Sequence, residues 1–302
     1  MPRIRPRQMN SSRDCVRVFV AATESEWLPA RVLEFSMRET TASPIEFTRI
    51  YSTGRKIPIP LSPKNQPRTP FSFQRFLVPE LCGFKGKAIY LDSDMQVFKN
   101  IGELWDWPLN GYDLQTVSGE QVGRRSQFSV MLLQCERLTW DIDVIVAGLD
   151  AGKLSYTGLM DDMCVAARVG RDISPHWNAM ETFDPENTCL LHYTDMHTQP
   201  WVSTANPLGY LWIACLRRAQ LSGFISRVDI DIAIRKGHVR PSLAAHLDSG
   251  IDHTEDLRSS ICSLDRNFIA PYRGQNLRQG VLSRLLSNKL RGAILKRIAR
   301  NF

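Results

Sequence analysis

The stretch Gly86-Lys87-Ala88-Ile89-Tyr90-Leu91-Asp92-Ser93-Asp94 decides the reading of this chain. An unbroken apolar run of four residues has the composition of a strand buried on both faces, and it ends in two carboxylates spaced i, i+2. Upstream, Val16-Arg17-Val18-Phe19-Val20-Ala21-Ala22 is a second compact apolar run. It stops at Thr23-Glu24-Ser25-Glu26, and Trp27 to Arg38 comes next with helical spacing, Pro29 falling in the first turn. Ile45 to Tyr51 alternates like a strand and closes on Ser52-Thr53-Gly54. Strand, helix and strand at this spacing make a βαβ unit. The expectation is an α/β fold with a parallel sheet covered by helices. At the carboxyl ends of such strands open sheets bind ligands, so Asp92 and Asp94 are placed where two carboxylates can hold a hard divalent cation. Two aspartates also serve simply to end a strand and cap the next helix.

Outward from this core, a proline-rich connector (Pro58, Pro60, Pro63, Pro67, Pro70) precedes a helical segment from Phe73 to Leu81. Further strands are expected at Tyr112–Val117 and Phe128–Leu133, and helices at Leu138–Leu149 and Met160–Ala167. His192 comes after Cys189-Leu190-Leu191, and a histidine at a strand end offers either a neutral imidazole ligand or a structural hydrogen bond. In Met160-Asp161-Asp162-Met163 a carboxylate can act as a helix cap.

The 302 residues, 43% of them hydrophobic and 23% charged, exclude a disordered, collagenous or integral-membrane chain. No apolar run approaches the ~20 residues of a membrane span. The basic, polar start, with Arg3, Arg5, Arg7 and Arg13, lacks the apolar region of a secretory signal. Seven scattered cysteines without a CxxC argue against a disulfide framework and a zinc knuckle, and suit a reducing, cytoplasmic setting. The net charge of +7 is uneven. Nine of the 38 basic residues and no acid lie from Arg266 onward, leaving 29 basic against 31 acidic elsewhere. The body is therefore not a nucleic-acid-binding surface by charge, and an anionic partner should meet the C-terminal end. There, Leu282, Leu285, Leu286, Leu290, Ile294 and Ile298 share one helix face, with Arg284, Lys289, Arg291 and Arg300 mostly off it. Such a helix either lies on an anionic membrane or docks its apolar face on the body.

In their order, these pieces resemble retaining glycosyltransferases of family 8, the glycogenin and lipopolysaccharide galactosyltransferase type. The resemblance runs from about Val16 to Trp201. It is carried by Ala22-Thr23-Glu24-Ser25-Glu26-Trp27, by Arg75 ahead of Tyr90-Leu91-Asp92-Ser93-Asp94, and by His192-Tyr193-Thr194-Asp195 through Gln199-Pro200-Trp201. It implies a GT-A (Rossmann-like) nucleotide-diphospho-sugar transferase fold with a C-terminal basic helical tail. The implied organisation is a flexible arm over 1–13, a GT-A domain over 14–240 with the nucleotide-sugar site up to about 110, and an extension over 241–302. By the same resemblance Asp92, Asp94 and His192 would bind Mn²⁺ or Mg²⁺. Ala21, Ala22, Thr23, Glu24, Arg75, Ser93 and Gln199 would contact the nucleotide-sugar donor, with Asp161, Asp162 and Gln127 around its sugar.

The implied activity moves a hexose, from a UDP-sugar foremost, to a glycan or lipid-linked acceptor. The tail would then make the enzyme peripheral on the inner face of the plasma membrane. The sequence departs from the family pattern at Gln127-Phe128-Ser129 (family Asn-Ser-Gly), at Asp162 (Gln), at Asp195 (Gly) and at Gln199 (Lys). Two other readings stay open. One is a haloacid-dehalogenase-like phosphohydrolase, although Gln96 stands where such enzymes want Thr or Val. The other is a family member that binds a nucleotide sugar without turnover.

Overall fold

A computed structural model describes residues 15–118 and 128–272. The chain divides into two compact units, one up to Tyr193 and one from Thr194 on, so the domain boundary expected at 240 lies inside the second unit. Among the described residues no helix is long and apolar enough to cross a membrane. The N-terminal arm and the basic amphipathic tail lie outside the described residues.

The first unit begins with β1 (Val16–Ala21), a 3-10 turn over Glu24–Glu26, α1 (Trp27–Thr40) and β2 (Ile45–Arg49). The expected strand to Tyr51 ends two residues early, because Ile50–Thr53 winds into a 3-10 turn stopped by Gly54 in the left-handed region. The expected helix at 73–81 is a 3-10 turn at Gln74–Leu77 that runs into α2 (Val78–Leu81). Then come β3 (Lys87–Asp92), β4 (Met95–Val97), α3 (Gly102–Trp105), β5 (Leu114–Val117), β6 (Val130–Gln134), α4 (Ile142–Asp150), α5 (Tyr156–Met160), β7 (Val169–Ile173), β8 (Ala179–Met180) and β9 (Leu190–His192).

The helix expected over Met160–Ala167 is a correction. α5 ends at Met160, with Asp161 at its C-terminal rather than its N-terminal end. The true cap is Ser155, whose hydroxyl accepts from Gly158 N, and the chain turns sharply at Met163, a buried residue with φ of 53°.

Among the described residues, six strands form one sheet in the order β2-β1-β3-β6-β5-β7. β1 pairs parallel with β2 and β3, as the βαβ reading expects, and β5 pairs parallel with β7. The sheet is nonetheless mixed, since β6 runs antiparallel to both β3 and β5. Alternation sorts the strands onto two faces, and both are covered. Val16, Val18, Val20, Ile89, Leu91, Val130 and Leu132 share a core with Leu33 and Met37 of α1. Phe19, Ala21, Ala88, Tyr90, Met131 and Leu133 share the other with Phe76, Leu77 and α4. Burial on both sides explains why these strands read as continuous apolar runs.

A second, three-stranded sheet, β4-β9-β8, holds His192 in register. β4 runs antiparallel to β9 with Met95 opposite His192, and Tyr193 N donates to Asp94 O at 2.9 Å.

The second unit contains α6 (Gly209–Leu221), α7 (Arg227–Arg235), α8 (Leu243–Asp248) and α9 (Ser259–Cys262). Its core is organised by a fully buried cation. Arg240 donates from Nε to Pro200 O at 3.0 Å, from Nη1 to Ser242 Oγ, and from Nη2 to His246 Nδ1 at 2.6 Å. Its backbone N–H holds Trp201 O at 2.8 Å. The Ser242 hydroxyl donates to Asp265, the counter-charge that Arg240 sees. Burial pulls the Arg240 pKa down to about 10. Burial, then the neighbouring Arg240, takes His246 down to about 4. The imidazole is therefore neutral and accepts the guanidinium proton. Pro200-Trp201, prominent in sequence, is thus anchored within its own unit, where Trp201 also packs on Trp212.

The β5–β7 register is testable at one position. Gly170 pairs with Gln115, and a methyl group there would collide with Gln115 Oε1, the atom that accepts from Asp172 N. Gly170→Ala should cost about 1–3 kcal/mol and lower the melting temperature; an unchanged melting temperature would contradict this register.

Candidate metal and nucleotide-sugar site

At the carboxyl end of β3 the structure gathers Asp92, Asp94 and His192. One ligand atom from each lies within 4.8 Å of the others. Two elements do the positioning. β3, held centrally in the large sheet, delivers Asp92, and β9, paired with β4, delivers His192 beside Asp94. His192 Nε2 lies 3.1 Å from Asp94 Oδ1. Ser93, between the two aspartates, is buried.

Asp92 and His192 are each held from behind. Asp92 Oδ1 accepts the Tyr90 hydroxyl at 2.7 Å and lies 3.6 Å from Arg75 Nη2. Arg75 is itself buried. It donates from Nη1 to Phe128 O and from Nε to Ser72 O, both at 3.1 Å, and its guanidinium lies over the Tyr90 ring. The residue expected at the donor's diphosphate thus fixes and partly neutralises Asp92. His192 Nδ1 donates to Asn178 Oδ1 at 2.9 Å in a buried pair. That bond sets the tautomer and leaves the Nε2 lone pair directed at the carboxylates, an arrangement common behind metal-ligating histidines.

The electrostatics favour a positive charge between these groups. Burial raises the Asp92 pKa, with Arg75 opposing and Asp94 adding to the rise. For His192, burial disfavours the charged ring, yet Asp94, Asp92 and Glu181 together raise its pKa above 6.5. A neutral Nε2 and a carboxylate oxygen at 3.1 Å have no proton between them. Either the imidazole is protonated, or a positive ion takes the proton's place. Two carboxylate oxygens and one imidazole nitrogen fit Mn²⁺ or Mg²⁺ as a partial set, the remaining positions being free for oxygen ligands.

Around this group, Ala21 and Ala22 are fully buried. Gln74 reads the Ala22 peptide from both sides: Ala22 N donates to Oε1 at 3.0 Å and Nε2 donates to Ala22 O at 2.7 Å. Thr23 belongs to a capping box with Glu26, accepting from Ser25 N while its own N–H donates to Glu26 Oε2 at 2.8 Å. Glu24 is exposed. Asp161 and Asp162, in the turn after α5, stand outside the ligand group. Gln127 lies outside the described residues. Gln199 belongs to the second unit, buried in a turn whose first residue, Asp195, caps it by accepting from His197 N and the Thr198 hydroxyl. That cap accounts for an aspartate where the family pattern has glycine.

Sequence reasoning missed Gln74, Tyr90 and Asn178 as site residues. Gln74 is adjacent to Arg75 and Tyr90 lies two residues before Asp92, but nothing in the sequence marks Asn178, which lies on a separate 3-10 turn over Pro175–Asn178.

Over residues 33–146 the chain matches glycosyl transferase family 8. The family 8 match contains Arg75, Asp92 and Asp94 and bears out the resemblance read from the motifs. Protein CDI of Arabidopsis thaliana is 32% identical over 99 residues, which cover 32% of this chain and 38% of that protein. The chain therefore spans well under half the length of this curated relative. The apo structure of the WbbM bifunctional glycosyltransferase superimposes with a TM-score of 0.52 at 12% identity, covering 73% of this chain and 51% of that one. The glycosyltransferase GlyE of Streptococcus pneumoniae TIGR4 gives 0.51 at 15% identity, covering 75% and 65%. The fold is that of GT-A glycosyltransferases.

The site geometry predicts how metal binding responds to pH. His192 must lose its proton to ligate, and its pKa is raised above 6.5, so Mn²⁺ affinity should still be rising as the pH climbs past that value. Asn178→Leu, which frees the ring from its tautomer lock, should weaken Mn²⁺ binding roughly 10–100-fold in calorimetric titration. Equal affinity in parent and variant would show that Asn178 does not position the ligand.

Proposed function

We propose that the protein is a metal-dependent retaining glycosyltransferase that moves a hexose from a nucleotide sugar, a UDP-sugar foremost, to a glycan or lipid-linked acceptor. The observation that carries this reading is the convergence of Asp92, Asp94 and His192 at the end of β3, within a GT-A fold and with both aspartates inside the segment matching family 8.

In this reading Asp92, Asp94 and His192 Nε2 hold Mn²⁺ or Mg²⁺, which when bound neutralises the charge that develops on a departing nucleoside diphosphate. The chain's own residues prepare that position. Tyr90 and Arg75 hold Asp92 Oδ1, so that this carboxylate does not swing away from the site. Asn178 keeps His192 in the ligating tautomer. Gln74 clamps the Ala22 peptide, presenting the loop after β1 as the wall expected to meet base and ribose. Asp161, expected to grip the donor sugar's hydroxyls, sits in a turn set by buried Met163. Glutamine where the family pattern has lysine at 199 takes one positive charge out of that pattern, which favours a slow enzyme or a binder without turnover.

Thermal-shift titration with UDP, GDP, CDP and dTDP, each with and without Mn²⁺, tests the reading. Stabilisation by one nucleotide only with metal, lost in Asp94→Asn, is expected, with sugar transfer or release of nucleoside diphosphate distinguishing an enzyme from a binder. No metal-dependent shift with any nucleotide, or an Asp94→Asn variant that binds as the parent does, would contradict it.

We further propose, on the sequence alone, that the basic amphipathic segment beyond Arg278 makes the protein peripheral on an anionic, cytoplasmic membrane face. The chain truncated before Arg278 should no longer sediment with phosphatidylserine vesicles while keeping its nucleotide binding. Continued sedimentation would reassign the segment to the body of the fold.

A further inference from the structure

A partly buried arginine near the carboxylate edge of the large sheet is not used by the reading given above. β7 runs parallel to β5, and β6 is antiparallel to both β5 and β3, so β7 and β3 end at one edge. Three strand spacings, about 14 Å, separate the two strands. Arg171, the third residue of β7, lays its guanidinium over the Phe128 ring, Cζ lying 5.0 Å from the centroid. Phe128 leads straight to the metal cluster. Its carbonyl accepts from Arg75 Nη1 at 3.1 Å, and the next carbonyl, Ser129 O, accepts from Asp92 N at 3.2 Å. Phe128 also belongs to the core against which Val169 of β7 and Met160 of α5 pack. Arg171 therefore lies on the face of the sheet that carries Tyr90, Arg75 above it, and the turn of Asp161 and Asp162.

The surroundings leave this guanidinium without an anion. Arg171 Nη1 is buried and has no hydrogen-bond partner. The carboxylates closest to it along β7 and its neighbour strand are occupied elsewhere. Asp113 lies 3.5 Å from Arg168 Nη2, and Asp172 Oδ2 accepts from Gln115 Nε2 at 3.2 Å. Phe128 offers only the face of its ring, an attraction weaker than the hydration a buried guanidinium N–H gives up. An aliphatic side chain would cover Phe128 equally well at no such cost. The fold therefore gains nothing from a cation here, whereas a ligand would. A planar guanidinium held apart from the local acids is poised to take a carboxylate through two parallel N–H···O bonds.

We propose that Arg171 reads a carboxylate on the donor sugar, so that the donor is a nucleotide hexuronate and not a neutral nucleotide hexose. The inference rests on the glycosyltransferase reading of Asp92, Asp94 and His192 and names the sugar for that site. The residues expected around the sugar point to the Arg171 side of the cluster. Asp161 and Asp162 border the core that Phe128 fills, and Gln127 immediately precedes Phe128 in the chain. A hexuronate carries its carboxylate at C6, away from the C1 that bears the diphosphate. That charge would satisfy Arg171 Nη1 and be neutralised by it. A neutral hexose brings only a hydroxyl to the same place, and a site built around a buried charged donor discriminates against a partner without the matching charge.

The test is calorimetric titration of the full-length protein, with Mn²⁺, against UDP, UDP-glucuronate, UDP-galacturonate, UDP-glucose and UDP-galactose. One uronate should bind about tenfold tighter than the matching hexose. Arg171→Leu and Arg171→Gln should both lose that preference and still bind UDP. The ligand-free Arg171→Leu variant should melt no lower than the parent, because the guanidinium Nη1 makes no hydrogen bond to lose. Equal binding of uronate and hexose by the parent, or a preference that survives in both variants, would overturn the proposal. So would a lowered melting temperature of the ligand-free Arg171→Leu variant, which would reassign Arg171 to the fold. Failure of the parent to bind UDP with Mn²⁺ would instead remove the glycosyltransferase reading, and the proposal with it.

Discussion

The approach of His192 Nε2 to Asp94 Oδ1 is the constraint on which the candidate site depends. Taken alone it is unfavourable. A buried imidazole and two carboxylates crowd into a space that water cannot fully solvate, and charge of one sign is costly there without compensation. The fold imposes the approach all the same. Strand β9 is fixed against β4 with Met95 opposite His192, and β4 begins one residue after Asp94. A sheet of three short strands therefore exists largely to bring a distant histidine to the end of β3. The positive charge of Arg75, buried beside Asp92, offsets one carboxylate. The remaining negative charge defines what the site is built to receive.

Support for the two aspartates comes from opposite directions. Asp92 is the last residue of a strand flanked by β1 and β6, as rigid a position as the sheet offers, and Tyr90 and Arg75 lock its side chain. Asp94 lies between the two sheets and takes its position from the Tyr193 backbone. The second unit solves a separate problem, holding Pro200-Trp201 with Arg240, whose buried guanidinium has its desolvation offset by the Pro200 carbonyl, a hydroxyl, a neutral histidine and Asp265, while its backbone N–H holds Trp201 O. Replacing such a cation by an alanine would leave several buried acceptors without donors, which is why it reads as structural.

Much of this was legible in the residues. The β1–α1–β2 unit and β3 showed in their apolar runs because both sheet faces are covered, and the strand-end position of Asp92 came with them. His192 was legible as a ligand only through its motif. The features that escaped the sequence did so for physical reasons. The antiparallel insertion of β6 depends on pairing partners, which a local pattern does not encode. The end of α5 at Met160 depends on tertiary packing of Met163, whose left-handed backbone no propensity would choose. Asn178 carries its role through one hydrogen bond made across the fold, with no local signature. Thr23, read as a donor contact, turns out to have a local occupation as a helix cap as well.

The central claim is that this cluster is a cation site serving a nucleotide diphosphate. A crystal of the protein grown with Mn²⁺ and UDP, measured at the manganese absorption edge, addresses it directly. The account predicts one anomalous peak within coordination distance of Asp92, Asp94 and His192 Nε2, with diphosphate oxygens completing the shell and Asn178 still accepting from Nδ1. A peak elsewhere, or nucleotide bound with His192 still paired to Asp94 and no metal between them, would contradict it.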